Sequence, residues 1–112
     1  MRLRFLALVP FASALPACPP AMAQDDARLK AYGRHLSQEC TSCHRLDGVD
    51  NGIPSIAGLD ADAIIRALKF YRDGARTNPV MVSVASSLDE EQVRALAAYW
   101  ASLPRPAPKS GK

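Results

Sequence analysis

The sequence predicts an all-α domain, and three observations predict it. Apolar residues recur at helical spacing in three separate segments, no segment alternates at the strand period, and clusters of Gly, Pro and Asn divide the segments from one another. No stretch repeats internally.

The chain opens on a segment read as a targeting sequence rather than as fold. Arg2 and Arg4 form a charged start, Phe5 to Leu15 is an apolar run too short to span a membrane comfortably, and Ala21-Met22-Ala23 supplies a small-x-small cleavage pattern. Residues 1–23 are therefore expected to be removed after Ala23. Cys18 lies inside this segment. Leu15-Pro16-Ala17-Cys18 loosely resembles a lipid-attachment box, but Pro16 and the following Pro19-Pro20 fit that motif poorly.

The first helix is expected over residues 25–43, capped by Asp25 or Asp26, with Leu29, Tyr32, Gly33 and Leu36 along one face. A glycine inside a helix weakens it, so Gly33 points to a close approach of another backbone. Residues 44–59 lack periodicity and carry Gly48, Gly52, Pro54 and Gly58, which reads as a loop. The second helix spans 61–73, with Asp60 as its cap, an apolar stripe of Ala61, Ile64, Ile65, Leu68 and Tyr71, and Gly74 as its stop. Residues 75–86 read as a connection with at most a short helical turn near Met81. The last helix follows Ser87-Leu88-Asp89-Glu90, taken as a capping box with Ser87 as cap. Val93, Leu96, Ala97 and Trp100 form its buried face, and Pro104 ends it. The domain so defined covers residues 24–104, and residues 105–112 form a mobile Pro/Lys tail.

Charge excludes one class of function. The whole chain carries 14 Lys+Arg against 11 Asp+Glu. Within residues 24–104 the balance becomes nine basic against eleven acidic side chains, a net of −2, so no concentrated basic face marks a nucleic-acid binder. No later segment is long and apolar enough to be transmembrane.

The chemistry is concentrated in Cys40-Thr41-Ser42-Cys43-His44, a C-x-x-C-H signature of covalent haem attachment. The two thiols can form thioethers with the haem vinyl groups, and the adjacent histidine becomes an axial ligand of the iron. Removal of residues 1–23 leaves Met81 as the sole methionine, in the loop between the second and third predicted helices. A thioether opposite an imidazole favours ferrous iron and leaves no open coordination position. His35 is the alternative second ligand, on a polar face of the first helix. A zinc site built from Cys40, Cys43, His44 and His35 is a competitor, but His44 adjoins Cys43 and lacks the separation typical of zinc pairs. A redox dithiol is another, and it calls for strands around C-x-x-C. A gas-binding or peroxidase-type haem protein would need a missing or labile sixth ligand.

With these residues in view, the chain resembles the class I c-type cytochromes of the small bacterial monohaem type. It resembles in particular one half of the dihaem bacterial cytochromes c and the haem subunit of flavocytochrome c sulfide dehydrogenases. The resemblance covers about residues 27–103. It rests on Gly33-x-x-Leu36-x-x-x-Cys40-x-x-Cys43-His44, Ile53-Pro54-Ser55-Ile56-Ala57-Gly58, Phe70-Tyr71-Arg72-Asp73-Gly74-Ala75-Arg76, Asn78-Pro79-Val80-Met81 and Leu96-Ala97-Ala98-Tyr99-Trp100-Ala101-Ser102-Leu103.

The resemblance implies a cytochrome c fold, three main helices around one covalently attached haem c. It implies that Cys40 and Cys43 carry the thioethers, that His44 and Met81 ligate the iron, and that the carbonyl region of Pro54 accepts the free N–H of His44. It implies a crossing of the first and last helices at Gly33 and Tyr99, and Tyr71 and Arg76 near the haem carboxylates. The function implied is one-electron transport in the periplasm between redox proteins, such as a flavoprotein dehydrogenase or a terminal oxidase. The chain would act as a non-catalytic carrier or as the haem subunit of a dehydrogenase complex. One C-x-x-C-H, where the dihaem proteins have two, separates this chain from them.

Overall fold

The computed structural model describes residues 17, 20–50, 52–107 and 109–110. Most of the expected targeting sequence, with Cys18, lies outside the described residues. The elements run α1 (Ala21–Cys40), β1 (Val49–Asp50), α2 (Ala61–Arg72), α3 (Pro79–Ser87), α4 (Glu90–Ser102) and β2 (Lys109–Ser110). The architecture is all-α, with one helix more among the described residues than the three expected. The only strands among the described residues are the two-residue parallel pair β1–β2.

Helix α1 differs from expectation at both ends. It begins at Ala21 after Pro20, with no side-chain cap, so neither Asp25 nor Asp26 caps it. Asp26 instead pairs with Lys30 one turn later at 2.6 Å, on the exposed face. The helix closes at Cys40, where the Thr41 N–H bonds to Ser37 O, and the chain then tightens into a turn. Both Cys43 N and His44 N donate to Cys40 O, at 3.2 and 2.8 Å. The attachment pentapeptide is thus a turn hung on the end of a helix rather than a continuation of it.

Gly33 marks the crossing of α1 and α4. A Cβ at this position would lie 1.9 Å from Ala95 O and 2.8 Å from Tyr99 Cβ. The absence of a side chain is what lets the two backbones touch. On the α4 side Ala95 is fully buried, so small residues face each other across the contact.

Helix α2 matches its sequence. The Asp60 carboxylate accepts from Ala63 N at 3.1 Å, Ile64 and Leu68 are buried, and Lys69 and Arg72 occupy the last turn. Helix α3 stands where a connection was expected. Asn78 Oδ1 accepts from Val80 N and Met81 N at 3.1 and 3.2 Å, and Pro79 occupies the first turn, where its missing N–H costs nothing.

Helix α4 is capped by Asp89, not Ser87. Asp89 Oδ1 accepts from Gln92 N at 2.8 Å, and Gln92 Oε1 accepts from Asp89 N at 2.9 Å. The sequence holds two overlapping capping patterns, Ser87-x-x-Glu90 and Asp89-x-x-Gln92. The second prevails because Ser87 closes α3, its hydroxyl donating to Val84 O at 2.7 Å.

The core gathers Ala57, Ile64, Leu68, Ala85, Val93, Leu96, Ala97 and Trp100. Trp100 is its one large side chain buried almost completely, at 1 % exposure. Leu36, Ile56, Leu59, Met81 and Leu88 pack against it while only partly buried. An open side remains, and the functional cavity lies there.

The expected mobile tail lies against the loop in its described part. Lys109 N donates to Gly48 O at 3.3 Å, and Arg105 packs against Gly58. Gly58 has a φ of 70° and would bring a Cβ within 2.7 Å of Arg105 N. Only glycine meets both demands. Its N–H also donates to Trp100 O at 2.9 Å, which ties the loop to the end of α4.

Candidate haem site

The end of α1 delivers Cys40, Cys43 and His44 to the wall of one cavity of about 780 Å³. The same cavity is bordered by Leu36 from α1, Ile56 from the loop, Ile64 and Leu68 from α2, Met81 and Val84 from α3, and Leu96 and Trp100 from α4. Its size falls in the range of about 300–1,000 Å³ expected of a small-molecule or cofactor pocket. Every described helix contributes apolar surface to it, so the cavity opens beside the core and is shared by all of them.

His44 Nδ1 lies 2.7 Å from Pro54 O. A carbonyl oxygen only accepts, so Nδ1 must carry the proton and the Nε2 lone pair is left free. Such a bond fixes the ring orientation and raises the basicity of the other nitrogen, which is the preparation a metal-ligating imidazole needs. Pro54 is positioned by the loop 44–59, which Gly58 fastens to α4.

Cys40 and Cys43 are free thiols, not a disulfide. Burial first, and then the charge of Glu39, pushes the Cys40 thiol up from its ordinary range, whereas Cys43 is exposed at the rim. Met81 is partly buried in the cavity wall, with its backbone N–H held by the Asn78 cap. His35 also reaches the cavity edge, but on an exposed face of α1.

Tyr71 and Arg76 do not border the cavity. The expectation that they lie beside the haem carboxylates finds no counterpart in its wall. Gly74, with a φ of 80°, turns the chain back after α2, and Arg76 N donates to Phe70 O at 3.0 Å. The Arg76 guanidinium is thereby laid over the Tyr71 ring, 5.0 Å from its centroid.

One residue escaped the sequence reading. Arg72, inside the quoted Phe70–Arg76 motif but given no role, reaches across to Ala85 O, Leu88 O and Glu90 Oε1 at 3.4, 2.7 and 2.8 Å. No sequence pattern points to those partners, because they lie 13 to 18 residues away.

The donor set fits a c-type haem. Two thiols that can become thioethers, an imidazole with Nε2 free and a methionine thioether share one apolar cavity. Among the described residues no three His, Cys, Asp or Glu side chains assemble into a metal-binding cluster, so the zinc alternative has no geometric support. No described helix is long and apolar enough to cross a membrane.

The family model for cytochrome c matches residues 30–104. The chain belongs to the cytochrome c family. Membership implies a covalently bound c-type haem with its iron.

Among its relatives is the cytochrome subunit of sulfide dehydrogenase from Chlorobaculum tepidum, 34 % identical, with 83 % of each chain covered. The thiosulfate dehydrogenase electron acceptor of Thiomonas intermedia is 40 % identical over 62 % of this chain and 35 % of its own length. The crystal structure of reduced recombinant cytochrome c4 from Pseudomonas stutzeri superposes with a TM-score of 0.63 at 30 % identity, covering 70 % of this chain and 50 % of the other. The chain thus spans less than half the length of the thiosulfate dehydrogenase electron acceptors and about half of the cytochrome c4 structure.

Proposed function

We propose that this cytochrome carries single electrons between redox proteins of the periplasm, through one haem held by thioethers to Cys40 and Cys43. When bound, the haem supplies a ferric–ferrous couple. His44 is its proximal ligand and Met81 its distal one. The observation that carries the reading is the His44 Nδ1–Pro54 O hydrogen bond of 2.7 Å, which leaves Nε2 free toward a cavity that Met81 also borders.

The chain's part is to set the ease of that couple. The Pro54 carbonyl makes His44 more basic, and the Met81 thioether favours the ferrous state. Apolar walls from Leu36, Ile64, Leu68 and Leu96 would border the bound haem and limit the access of water to it. Exposed Leu46 and Ile53 border a shallow depression with Cys43 and Arg45, which suits brief apolar contact with a partner.

The test is Met81→Ala in protein matured with its haem-attachment machinery. A haem adduct on the chain that survives acid and organic solvent, together with a lower reduction potential and ready carbon monoxide binding in the mutant, supports the reading. An unchanged potential and spectrum would exclude Met81 as ligand.

A second reading makes the chain the haem subunit of a dehydrogenase, with the chemistry on a flavoprotein partner that oxidises sulfide. The observation favouring it is the even 83 % coverage of both chains against the sulfide dehydrogenase cytochrome subunit. Stable co-purification with a flavoprotein separates it from a free carrier. In either case residues 1–23 act as an export signal cleaved after Ala23.

A further inference from the structure

Helix α3 has little reason to be a helix by itself. It is nine residues long, below the roughly 12–15 at which isolated helices become even marginal. Three of those residues are valines and three are serines, all modest helix formers. It has no acidic side chain in its first turn and no basic one in its last. Both ends are nevertheless held. Asn78 takes up two N–H groups at the start. At the finish, where carbonyls lack partners inside the helix, the Arg72 guanidinium arrives from α2 and takes Ala85 O at 3.4 Å and Leu88 O at 2.7 Å. Its third contact, to Glu90 at 2.8 Å, ties the same guanidinium to the first turn of α4.

The placement of Met81 gives this clamp a consequence. Ala85 is fully buried and lies one helical turn after Met81 on the same face. Both ends of α3 are exposed, Val80 at the start and Ser86 and Ser87 at the finish, and Ala85 is its buried residue. The helix is therefore tied to α2 at Ala85, one turn from Met81, and to its own cap Asn78 at the start.

We infer that Arg72 is a positioning residue for the distal ligand: by pinning Ala85 O of α3 and the carbonyl of its C-cap Leu88 from α2, it holds Met81 against the cavity. This rests on the reading of Met81 as the second ligand. Glu90 is exposed, so the ion pair itself contributes little, and the weight falls on the two charged hydrogen bonds to carbonyls.

The test is competition by exogenous imidazole in the fully haem-loaded ferric protein, read through the methionine–iron charge-transfer band. Loss of one hydrogen bond to a charged group corresponds to about a tenfold change in an equilibrium. Arg72→Gln is expected to retain its haem and to bind imidazole about tenfold more tightly than wild type, because Met81 is displaced more easily. Arg72→Lys keeps the charge but not the fork, and is expected to fall between the two. If Arg72→Gln fails to accumulate, the Lys variant carries the same comparison. Glu90→Gln is expected to behave as wild type.

Imidazole affinity and band unchanged in both Arg72 variants, with the band abolished in Met81→Ala, would overturn the inference and leave Met81 as ligand. A band that persists in Met81→Ala would overturn the ligand reading itself. A purely structural role for Arg72 would lower the unfolding midpoint without moving the imidazole affinity, and that outcome also refutes the inference.

Discussion

Replacing Gly33 by alanine sets local and tertiary physics against each other. In the helix alone the change is favourable by about 1 kcal/mol, from propensity and from the lost freedom of the unfolded chain. In the fold the new Cβ lies 1.9 Å from Ala95 O and 2.5 Å from Ala95 C. Ordinary carbon–oxygen contact is about 3.3 Å. The helices must therefore part by roughly 1.4 Å at the crossing. The obstructing atoms belong to the backbone of α4, so no rotamer change relieves them. A further 2.8 Å contact to Tyr99 Cβ blocks a sideways slip.

Overpacking of this kind costs about 1–3 kcal/mol and occasionally more, and a clash with backbone belongs at or above the upper end. Net of propensity, about 2–3 kcal/mol of destabilisation is expected for Gly33→Ala, and more for Gly33→Val. For a domain of this size each kcal/mol moves the thermal midpoint by about 4–8 °C, so a fall of about 10–20 °C is expected. The assay is thermal or denaturant unfolding of wild type and mutant, both fully haem-loaded. An equal or higher midpoint in the mutant would refute the close crossing and the α1–α4 frame built on it.

Three further outcomes follow from particular contacts. Arg76→Ala removes only an exposed stack over Tyr71, so the visible spectrum and reduction potential are expected to stay as in wild type, with a stability loss of no more than about 1 kcal/mol; a shifted potential would return Arg76 to the haem site. The Arg45 guanidinium beside Asp47 holds that carboxyl well below the usual range, so its stabilising contribution is present above the ordinary carboxylate pKa and is lost as pH falls through the depressed value. An NMR titration is expected to show a low Asp47 midpoint that rises in Arg45→Gln. N-terminal sequencing of exported protein is expected to begin at Gln24, and a lipid-modified Cys18 would establish the rival processing.

The parts legible in the sequence are those governed by local chemistry. The α2 stripe, its Asp60 cap and its Gly74 stop were readable because each acts within one turn of its own helix. Gly33 was readable as a candidate because a glycine in a helical stripe is either merely tolerated or marks a close backbone, and the structure shows the second. The C-x-x-C-H turn announced its chemistry by composition. Helix α3 was not readable, because a Pro-Val-Met-Val-Ser run has weak propensity and no clear stripe, and what holds it is Arg72 from another helix. The true cap of α4 was obscured by two overlapping patterns, and the choice depended on where α3 stops. Tyr71 and Arg76 came from the resemblance alone, and the turn at Gly74 that lays the arginine over the tyrosine is not visible in that pattern.

The two helix contacts at the centre of these predictions divide the domain's work. The α1–α4 crossing at Gly33 is made of backbone against backbone, on the helix that ends at Cys40. The core behind it is thin, and Leu36, Ile56, Met81 and Leu88 stay partly uncovered around the cavity. A large apolar group seated there would complete their burial, at about 25 cal/mol for each Å² removed from water. Anything that binds only the folded chain stabilises it, so a haem seated in the cavity would add to the stability of the fold. Helix α3 sits on the other wall, short, capped and gripped at its far end by a single guanidinium. On the proposed ligation, the wall with Cys40, Cys43 and His44 and the wall with Met81 predict different failures. Damage at Gly33 is expected to lower the stability of the whole molecule with its ligation intact. Damage at Arg72 is expected to loosen one iron ligand while the rest of the domain holds.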